Sequence, residues 1–196
     1  MKSALDQQSL DQLFLTAHNY NQFIQKAVSD DTILALYDLL KWGPTSMNTQ
    51  PARYVFVRSP EAKERLLPAM KASNVEKTLN APVSVIVASD TAFYEYLPTQ
   101  FMAHDAKPIF MENKVLTEKT AFRNSSLQGA YLMLAARALG LDCGAMSGFD
   151  PDKVNAEFFP DGHWKTNFIV NLGYGATKGH HPRGPRLAFE QVALVI

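Results

Sequence analysis

The apolar residues of this chain recur in two patterns, one typical of helices and one typical of strands. Apolar positions three or four apart predict helices that begin at Ser9 and at Ser29 and continue at 62–70, 74–79, 117–139 and after Asp150. Runs rich in β-branched residues predict strands at 54–58, 83–88 and 166–174. The run at 83–88 is almost continuously apolar, which indicates a buried central strand.

Three segments have a weaker pattern. Residues 90–117 mix aromatic residues with prolines, which predicts an irregular segment that could cover a pocket. Residues 143–149 are compatible with a short strand or a loop, and the tail after Gly179 is expected to be extended and basic.

The long helix at 117–139 carries small residues on its apolar face, which suits close approach of another helix across a subunit interface.

Composition limits the class of protein. The 196 residues carry 19 basic and 19 acidic side chains, so no charge excess marks a nucleic-acid or anionic-membrane partner, and one domain spanning 1–196 is expected. A single cysteine, Cys143, excludes an intrachain disulfide. The first residues lack the apolar core of a signal peptide, and no apolar run approaches the roughly 20 residues of a spanning helix. A cytoplasmic location is therefore expected.

The segment 41–53 is the most distinctive in the chain. Gly43, Pro44 and Pro51 interrupt helical structure, so the residues between them are expected to form a rigid exposed loop. The side chains there are mostly neutral hydrogen-bonding groups, which suit a flat heterocycle better than a phosphate or a metal. An ordinary polar turn is the alternative, because the same residue types fill most loops.

Several common site chemistries are excluded by spacing. The glycines at 173–179 do not have dinucleotide-loop spacing, and Ser147 lacks the glycine spacing of a serine nucleophile elbow. The five histidines include no pair four residues apart, so no metal site is predicted. These exclusions favour a bound organic cofactor that carries its own chemistry.

The loop Gly-Pro-Thr-Ser-Met-Asn-Thr-Gln-Pro at 43–51 resembles the Pro-Ser-x-x-Asn-x-Gln-Pro region of the FMN-dependent nitroreductase family. The resemblance extends from about residue 18 to residue 190 and includes Ser-Gly-Phe-Asp at 147–150 and Pro-Arg-x-Pro-Arg-Leu at 182–187. Within the family, the segments 41–43, 121–126 and 146–149 are most similar to the malonic semialdehyde reductase branch. The resemblance implies an α+β fold with a central, mainly antiparallel sheet flanked by helices, in an intertwined homodimer with FMN at the interface.

The resemblance also implies the cofactor-binding residues, and it assigns no catalytic residue and no metal ligand. On the phosphate side, where the family has arginines, this chain has His18, Asn19 and Asn21. The other implied contacts are Pro44, Thr45, Ser46 and Asn48 to the isoalloxazine ring, Gln50 across the dimer, Asn74 and Lys77 at the pyrimidine end, the backbone of Ser147 and Gly148 at the ring edge, and Arg183 and Arg186 at the phosphate. From residue type alone, Lys77 and the two arginines could equally be solvated surface cations.

The implied activity is transfer of a hydride from NADPH or NADH to FMN and then to a small aldehyde, malonic semialdehyde, which gives 3-hydroxypropionate. Thr45, Ser46 or water would supply the proton, and Arg123 or Arg53 could bind a substrate carboxylate. Arg123, on the long helix, could equally form a structural ion pair. Two alternatives remain open. One is a broad nitroaromatic or quinone reductase with the same cofactor, and the other is a flavin-binding module without turnover.

Overall fold

The computed structural model describes residues 3–196, and Met1 and Lys2, with which the segment tested for a signal peptide begins, lie outside it. The helices are α1 (Gln7–Leu10), α2 (Asp30–Leu40), α3 (Pro60–Leu66), α4 (Ala72–Asn80), α5 (Leu97–Gln100), α6 (Lys107–Met111), α7 (Lys114–Ala138), α8 (Pro151–Phe158) and α9 (Phe189–Val192). The strands are β1 (Ala52–Val57), β2 (Val83–Asp90), β3 (Asp142–Met146) and β4 (Trp164–Gly173).

The four strands form one sheet in the order β1-β2-β4-β3, and every neighbouring pair is antiparallel. All eight residues of β2 are buried, as the continuous apolar run predicted. The edge strands β1 and β3 lie on opposite sides of the β2–β4 pair. The predicted antiparallel α+β sheet is confirmed.

Helices cover both faces of the sheet because side chains of β2 alternate between them. Val83, Val85 and Val87 face a cluster with Leu36 of α2 and Leu132 of α7. On the other face, Ile86 and Ala88 lie in a cluster with Leu66 of α3 and Val154 of α8. The sheet is therefore the middle layer of a three-layer arrangement.

Element boundaries depart from the sequence expectations in four helices. The helix expected from Ser9 is the short α1, which begins at Gln7 and continues as a π-helical turn at Asp11–Leu15. The helix expected at 62–70 is α3, which ends at Leu66 before a 3-10 turn at Leu67–Ala69. α7 begins at Lys114 rather than near 117, because the side chain of Asn113 accepts a hydrogen bond from the backbone N–H of Leu116 and caps the helix there. It ends as expected, with Gly140 at φ +76°. α4 is a full nine-residue helix rather than a short turn.

The segment 91–117 contains short helical turns and no strand, in agreement with its mixed pattern. Its buried aromatics Phe93 and Phe110 pack edge to face, with ring centroids 5.0 Å apart, in a small cluster of their own. Across residues 3–196, no helix combines the length and the apolarity that crossing a membrane would require.

Candidate cofactor-binding site

A cationic cavity of about 600 Å³ lies beside the β3 edge of the sheet. Six of the residues that the sequence predicted for a cofactor site line it, namely His18, Asn19, Asn21, Lys77, Arg183 and Arg186. Arg137 of α7 also lines it, and no Asp or Glu of the described chain does. The cavity is therefore suited to an anionic group.

The segment that contains His18 is held between β3 and the C-terminal tail. The backbone N–H of Tyr20 donates to the Cys143 carbonyl at 2.8 Å, and the Asn19 side-chain oxygen accepts from the Ala145 N–H at 2.6 Å. On the other side, the Asn21 N–H donates to the Gly179 carbonyl at 2.6 Å. These bonds fix one wall of the cavity on the sheet edge.

Arginine side chains bring the tail and α7 against the N-terminal segment. Arg183 donates from Nη2 to the carbonyls of Leu15 at 2.6 Å and Ala17 at 2.7 Å. Arg137 donates from Nη1 to the Leu13 carbonyl at 3.0 Å. Both guanidiniums thus bind carbonyls at the C-terminal end of the helical turn Asp11–Leu15 and just after it, where cations are favoured. Each keeps further N–H donors for a ligand.

His18 is part of an aromatic contact in this cavity. Its ring stacks on that of His180, with centroids 3.8 Å apart and 20° between the planes. Partial desolvation lowers the pKa of His18 below its usual range, and the neighbouring His180 and Arg183 lower that pKa further. The Asp142 carboxylate opposes the shift. At neutral pH, His18 therefore contributes a neutral imidazole to the wall.

The turn after β3 is bound to the helix that carries Lys77. The Asn74 side chain donates from Nδ2 to the Gly148 carbonyl at 3.0 Å, and the Lys71 N–H donates to the same oxygen at 3.0 Å. A Cβ on Gly148 would lie 2.4 Å from Asn74 Nδ2, so only glycine fits at this contact. No acceptor among residues 3–196 takes the backbone N–H of Ser147 or Gly148. Two backbone donors are therefore left for a ligand.

The predicted ring-binding loop is a strained, well-anchored turn elsewhere in the fold. Met47, Asn48 and Gln50 have φ of 50°, 51° and 41°, a left-handed conformation that is uncommon outside glycine. The Asn124 side-chain oxygen accepts from the Ser46 N–H at 2.8 Å, and the Thr45 hydroxyl accepts from the Gln50 N–H at 3.1 Å.

This loop keeps several of its side chains exposed and fixes two of them by hydrogen bonds. Pro44, Ser46 and Asn48 are exposed, and Thr49 is buried. Asn48 and Gln50 both contact Gln100: Asn48 Nδ2 donates to its carbonyl at 2.9 Å and Gln50 Nε2 to its side-chain oxygen at 3.1 Å. The loop thus presents a fixed polar surface to the outside of the chain.

The loop and the cationic cavity lie at opposite edges of the sheet. The loop leads into β1, whereas the cavity borders β3, and two strands separate these edges. At 4.7–4.9 Å per strand, that separation is about 14 Å across the sheet alone. Within one chain the structure therefore brings together the residues around His18, Lys77 and Arg183, and it does not bring Thr45, Ser46 or Asn48 to them.

Three residues of this arrangement escaped the sequence reasoning. Asn124 holds the loop, Arg137 lines the cavity, and His180 stacks on His18. Asn124 is one of several polar residues on the buried face of the long helix, together with Thr120, Ser125 and Gln128, so its polarity alone did not single it out. The other two act through contacts with residues distant in sequence, which no local pattern indicates.

Other reactive groups lie outside this site. Burial raises the pKa of the Cys143 thiol to about 12, so it is not a nucleophile at neutral pH. Within 3–196, no three His, Cys, Asp or Glu side chains are grouped closely enough to hold a metal ion. Arg53 is bound to Asp90, with Nη2 and Oδ2 2.6 Å apart.

Comparisons with known proteins agree on one family. The model of the family described as "Nitroreductase family" matches residues 20–174. A protein of Rhodopseudomonas palustris described as "Putative NADH dehydrogenase/NAD(P)H nitroreductase" is 56% identical over 196 residues, which is all of both chains. A protein of the same description from Ralstonia nicotianae is 55% identical over 98% of each chain. A protein of Exiguobacterium sibiricum, solved in complex with FMN, has a TM-score of 0.84 with 18% identity and covers 100% of this chain and 99% of its own. This chain therefore belongs to the Nitroreductase family.

Proposed function

We propose that this protein is an FMN-dependent oxidoreductase that takes its hydride from NADPH or NADH. The observation that carries the proposal is the cavity beside β3, which Lys77, Arg183 and Arg186 make cationic and which no described carboxylate lines. The relatives named as NAD(P)H nitroreductases and the structural neighbour solved with FMN support the same cofactors.

The residues at the cavity and in the turn after β3 fit FMN on two counts. Arg183, Arg186 and Lys77 supply fixed positive charge for its phosphate, and His18, Asn19 and Asn21 line the same cavity. The unpartnered N–H groups of Ser147 and Gly148 supply donors for the acceptor edge of its ring, and Asn74 holds that turn in place. When bound, FMN supplies the ability to accept a hydride from a nicotinamide and pass it to a substrate.

The ammonium group of Lys77 has a specific task in this arrangement. It lies on the same helix as Asn74, one turn further along, and lines the cavity. A fixed cation near the pyrimidine end of the ring stabilises the negative charge that the ring gains on reduction. Lys77 would therefore raise the reduction potential of the bound cofactor.

We propose that the protein acts as a homodimer in which the loop at 44–50 of one subunit faces the cavity of the other. The separation of loop and cavity within one chain supports this, because each alone offers only part of a flavin site. The large apolar side chains of Phe122 and Leu127 on α7, which are 62% and 48% exposed, supply a surface that a second subunit would cover.

For the substrate, we propose malonic semialdehyde or a small aldehyde that likewise carries a carboxylate. Of the two arginines suggested for the carboxylate, Arg53 is bound to Asp90, whereas Arg123 is exposed and makes no ion pair with any residue of 3–196. Arg123 also directly precedes Asn124, which holds the loop. The Ser46 side chain is exposed whereas Thr45 is half-buried, so the Ser46 hydroxyl is the better placed proton donor.

The cofactor is tested by visible spectroscopy of the purified protein before and after anaerobic addition of NADPH or NADH. A yellow protein that bleaches is the expected result. A yellow protein that never bleaches would indicate a flavin-binding module without turnover, and a protein that takes up no FMN would refute the proposal.

The substrate is tested by comparing turnover of malonic semialdehyde with that of a neutral nitroarene. In the Arg123→Gln variant, loss of one charge-assisted contact of about 1.5–3 kcal/mol predicts a KM for the aldehyde acid raised roughly 10- to 150-fold. The nitroarene KM should not change, and Lys119→Gln, an exposed change one turn away, should affect neither substrate. The name of the relatives favours the alternative, a broad nitroaromatic reductase, and efficient nitroarene turnover with none of the aldehyde would establish it.

A further inference from the structure

The His18 imidazole lines the cationic cavity beside its fixed cations. The ring of His180 stacks on it with centroids 3.8 Å apart, and Tyr20 packs edge-on against the His180 ring at 5.1 Å. His180 Nδ1 also lies 3.1 Å from the His181 carbonyl oxygen. The His18 ring is thus held by protein contacts at the cavity where a phosphate would bind.

Charged groups from every neighbouring element surround His18. Lys77 approaches from α4, Arg137 from α7, and Arg183 and Arg186 from the tail, all of them lining the same cavity together with the His181 side chain. Asp142, at the start of β3, supplies the opposing negative charge, and the Tyr20 phenol, whose pKa is raised by burial, stays neutral.

This balance keeps His18 neutral in the free protein. A ring that lies beside four permanent cations is disfavoured in its charged form. Consistent with that, the pKa of His18 is lowered, first by desolvation and then by His180 and Arg183. A phosphate dianion placed in the cavity reverses the balance and favours the protonated ring.

We propose that His18, stacked on His180, is the proton-dependent half of the phosphate site, so that this protein takes up a proton as it binds FMN and holds FMN more tightly as the pH falls from 8 to 6. Arg183, Arg186 and Lys77 form the permanent half. The inference rests on the proposed function, in that FMN is the ligand of this cavity.

The test compares FMN with riboflavin, which has the same ring and no phosphate. Dissociation constants of both are measured by flavin fluorescence on protein freed of flavin, between pH 6 and pH 8. The ratio of the riboflavin constant to the FMN constant isolates the phosphate contribution. One linked proton changes affinity by at most about tenfold per pH unit, so we expect the ratio to rise roughly five- to thirtyfold from pH 8 to pH 6.

Two variants separate the imidazoles from the cofactor. The phosphate itself titrates with a pKa of about 6, and its protonation weakens binding at low pH in all variants alike. In His18→Arg the cation is permanent, so the ratio should no longer rise as the pH falls. His163→Arg, at an exposed histidine beyond the sheet, is the matched control and should keep the wild-type profile. His180→Asn, which removes the stacked partner, provides a second reading if His18→Arg does not fold.

The outcomes distinguish the inference from the function on which it rests. FMN binding with a ratio that is independent of pH, or a wild-type pH profile retained in both His18→Arg and His180→Asn, would overturn the inference and leave the FMN site intact. Failure of both FMN and riboflavin to bind at every pH would overturn the proposed function together with it.

Discussion

Substitution of Gly148 by alanine tests how the turn after β3 is held. The added methyl would lie 2.4 Å from Asn74 Nδ2, the atom that donates to the Gly148 carbonyl. Asn74 is only 7% exposed, so its side-chain amide has little room to turn away from the added methyl. The methyl therefore displaces the amide and breaks the 3.0 Å hydrogen bond.

The magnitude follows from two opposing effects. A buried amide deprived of its partner costs about 1–3 kcal/mol. Replacement of glycine by alanine restricts the unfolded chain and returns about 0.4–1 kcal/mol where the backbone conformation is compatible. Subtracting the second range from the first gives an expected net loss in free energy of unfolding between about 0 and about 2.6 kcal/mol, with a central value of about 1.3 kcal/mol.

A double-mutant cycle in urea, at one protein concentration, measures the effect directly. We expect Gly148→Ala to be destabilising in the wild-type background and nearly neutral in the Asn74→Ala background, where the amide is absent. Gly184→Ala, where a Cβ meets no atom within 4 Å, is the stability control. If Gly148→Ala costs the same in both backgrounds, the clash with Asn74 is not its cause and the reasoning fails.

Three further changes test the buried groups of the fold. Lys63 is 8% exposed and caps α4 by donating to the carbonyls of Leu79 and Ala81 at its end. Lys63→Met should therefore lower the free energy of unfolding by about 1–3 kcal/mol, and an unchanged Tm would contradict this capping role. The Tyr54 hydroxyl is buried without a partner among residues 3–196, and burial raises its pKa. Tyr54→Phe should therefore leave the free energy of unfolding in urea unchanged or raise it by about 1 kcal/mol. A clear loss of stability would show that the hydroxyl has a hydrogen-bond partner. Because burial raises the pKa of Cys143 to about 12, the native protein should resist iodoacetamide at pH 8 and react only in denaturant, and rapid alkylation of the folded protein would show that the strand opens.

Local signals predicted the elements whose boundaries are set by neighbouring residues. Ser29 caps α2 by accepting from the Thr32 N–H, and the apolar run of β2 requires burial on both faces, so both could be found from sequence. α4 was predicted too short, at 74–79, because its buried face includes the polar Asn74 and Thr78, which a search for apolar positions does not assign to a core.

The candidate site could likewise be predicted only in part from the sequence. The sequence could name His18, Lys77 and Arg183 through family resemblance, and the structure places them around one cavity. It could not indicate that His18 stacks on His180, nor that Asn124 fixes the loop, because each contact joins residues far apart in the chain. Such pairings depend on the packing of whole elements, which composition and periodicity do not encode.

The placement of loop and cavity at opposite sheet edges has a genetic consequence for the proposed dimer, because two different defective subunits can complement each other. A polypeptide altered at Ser46 and another altered at Arg183 each spoil both sites of their own homodimer. In a mixed dimer of the two, both lesions fall on one site, and the other is assembled from an intact loop and an intact cavity. Cells that express two such defective alleles would then recover part of the activity that neither allele supplies alone.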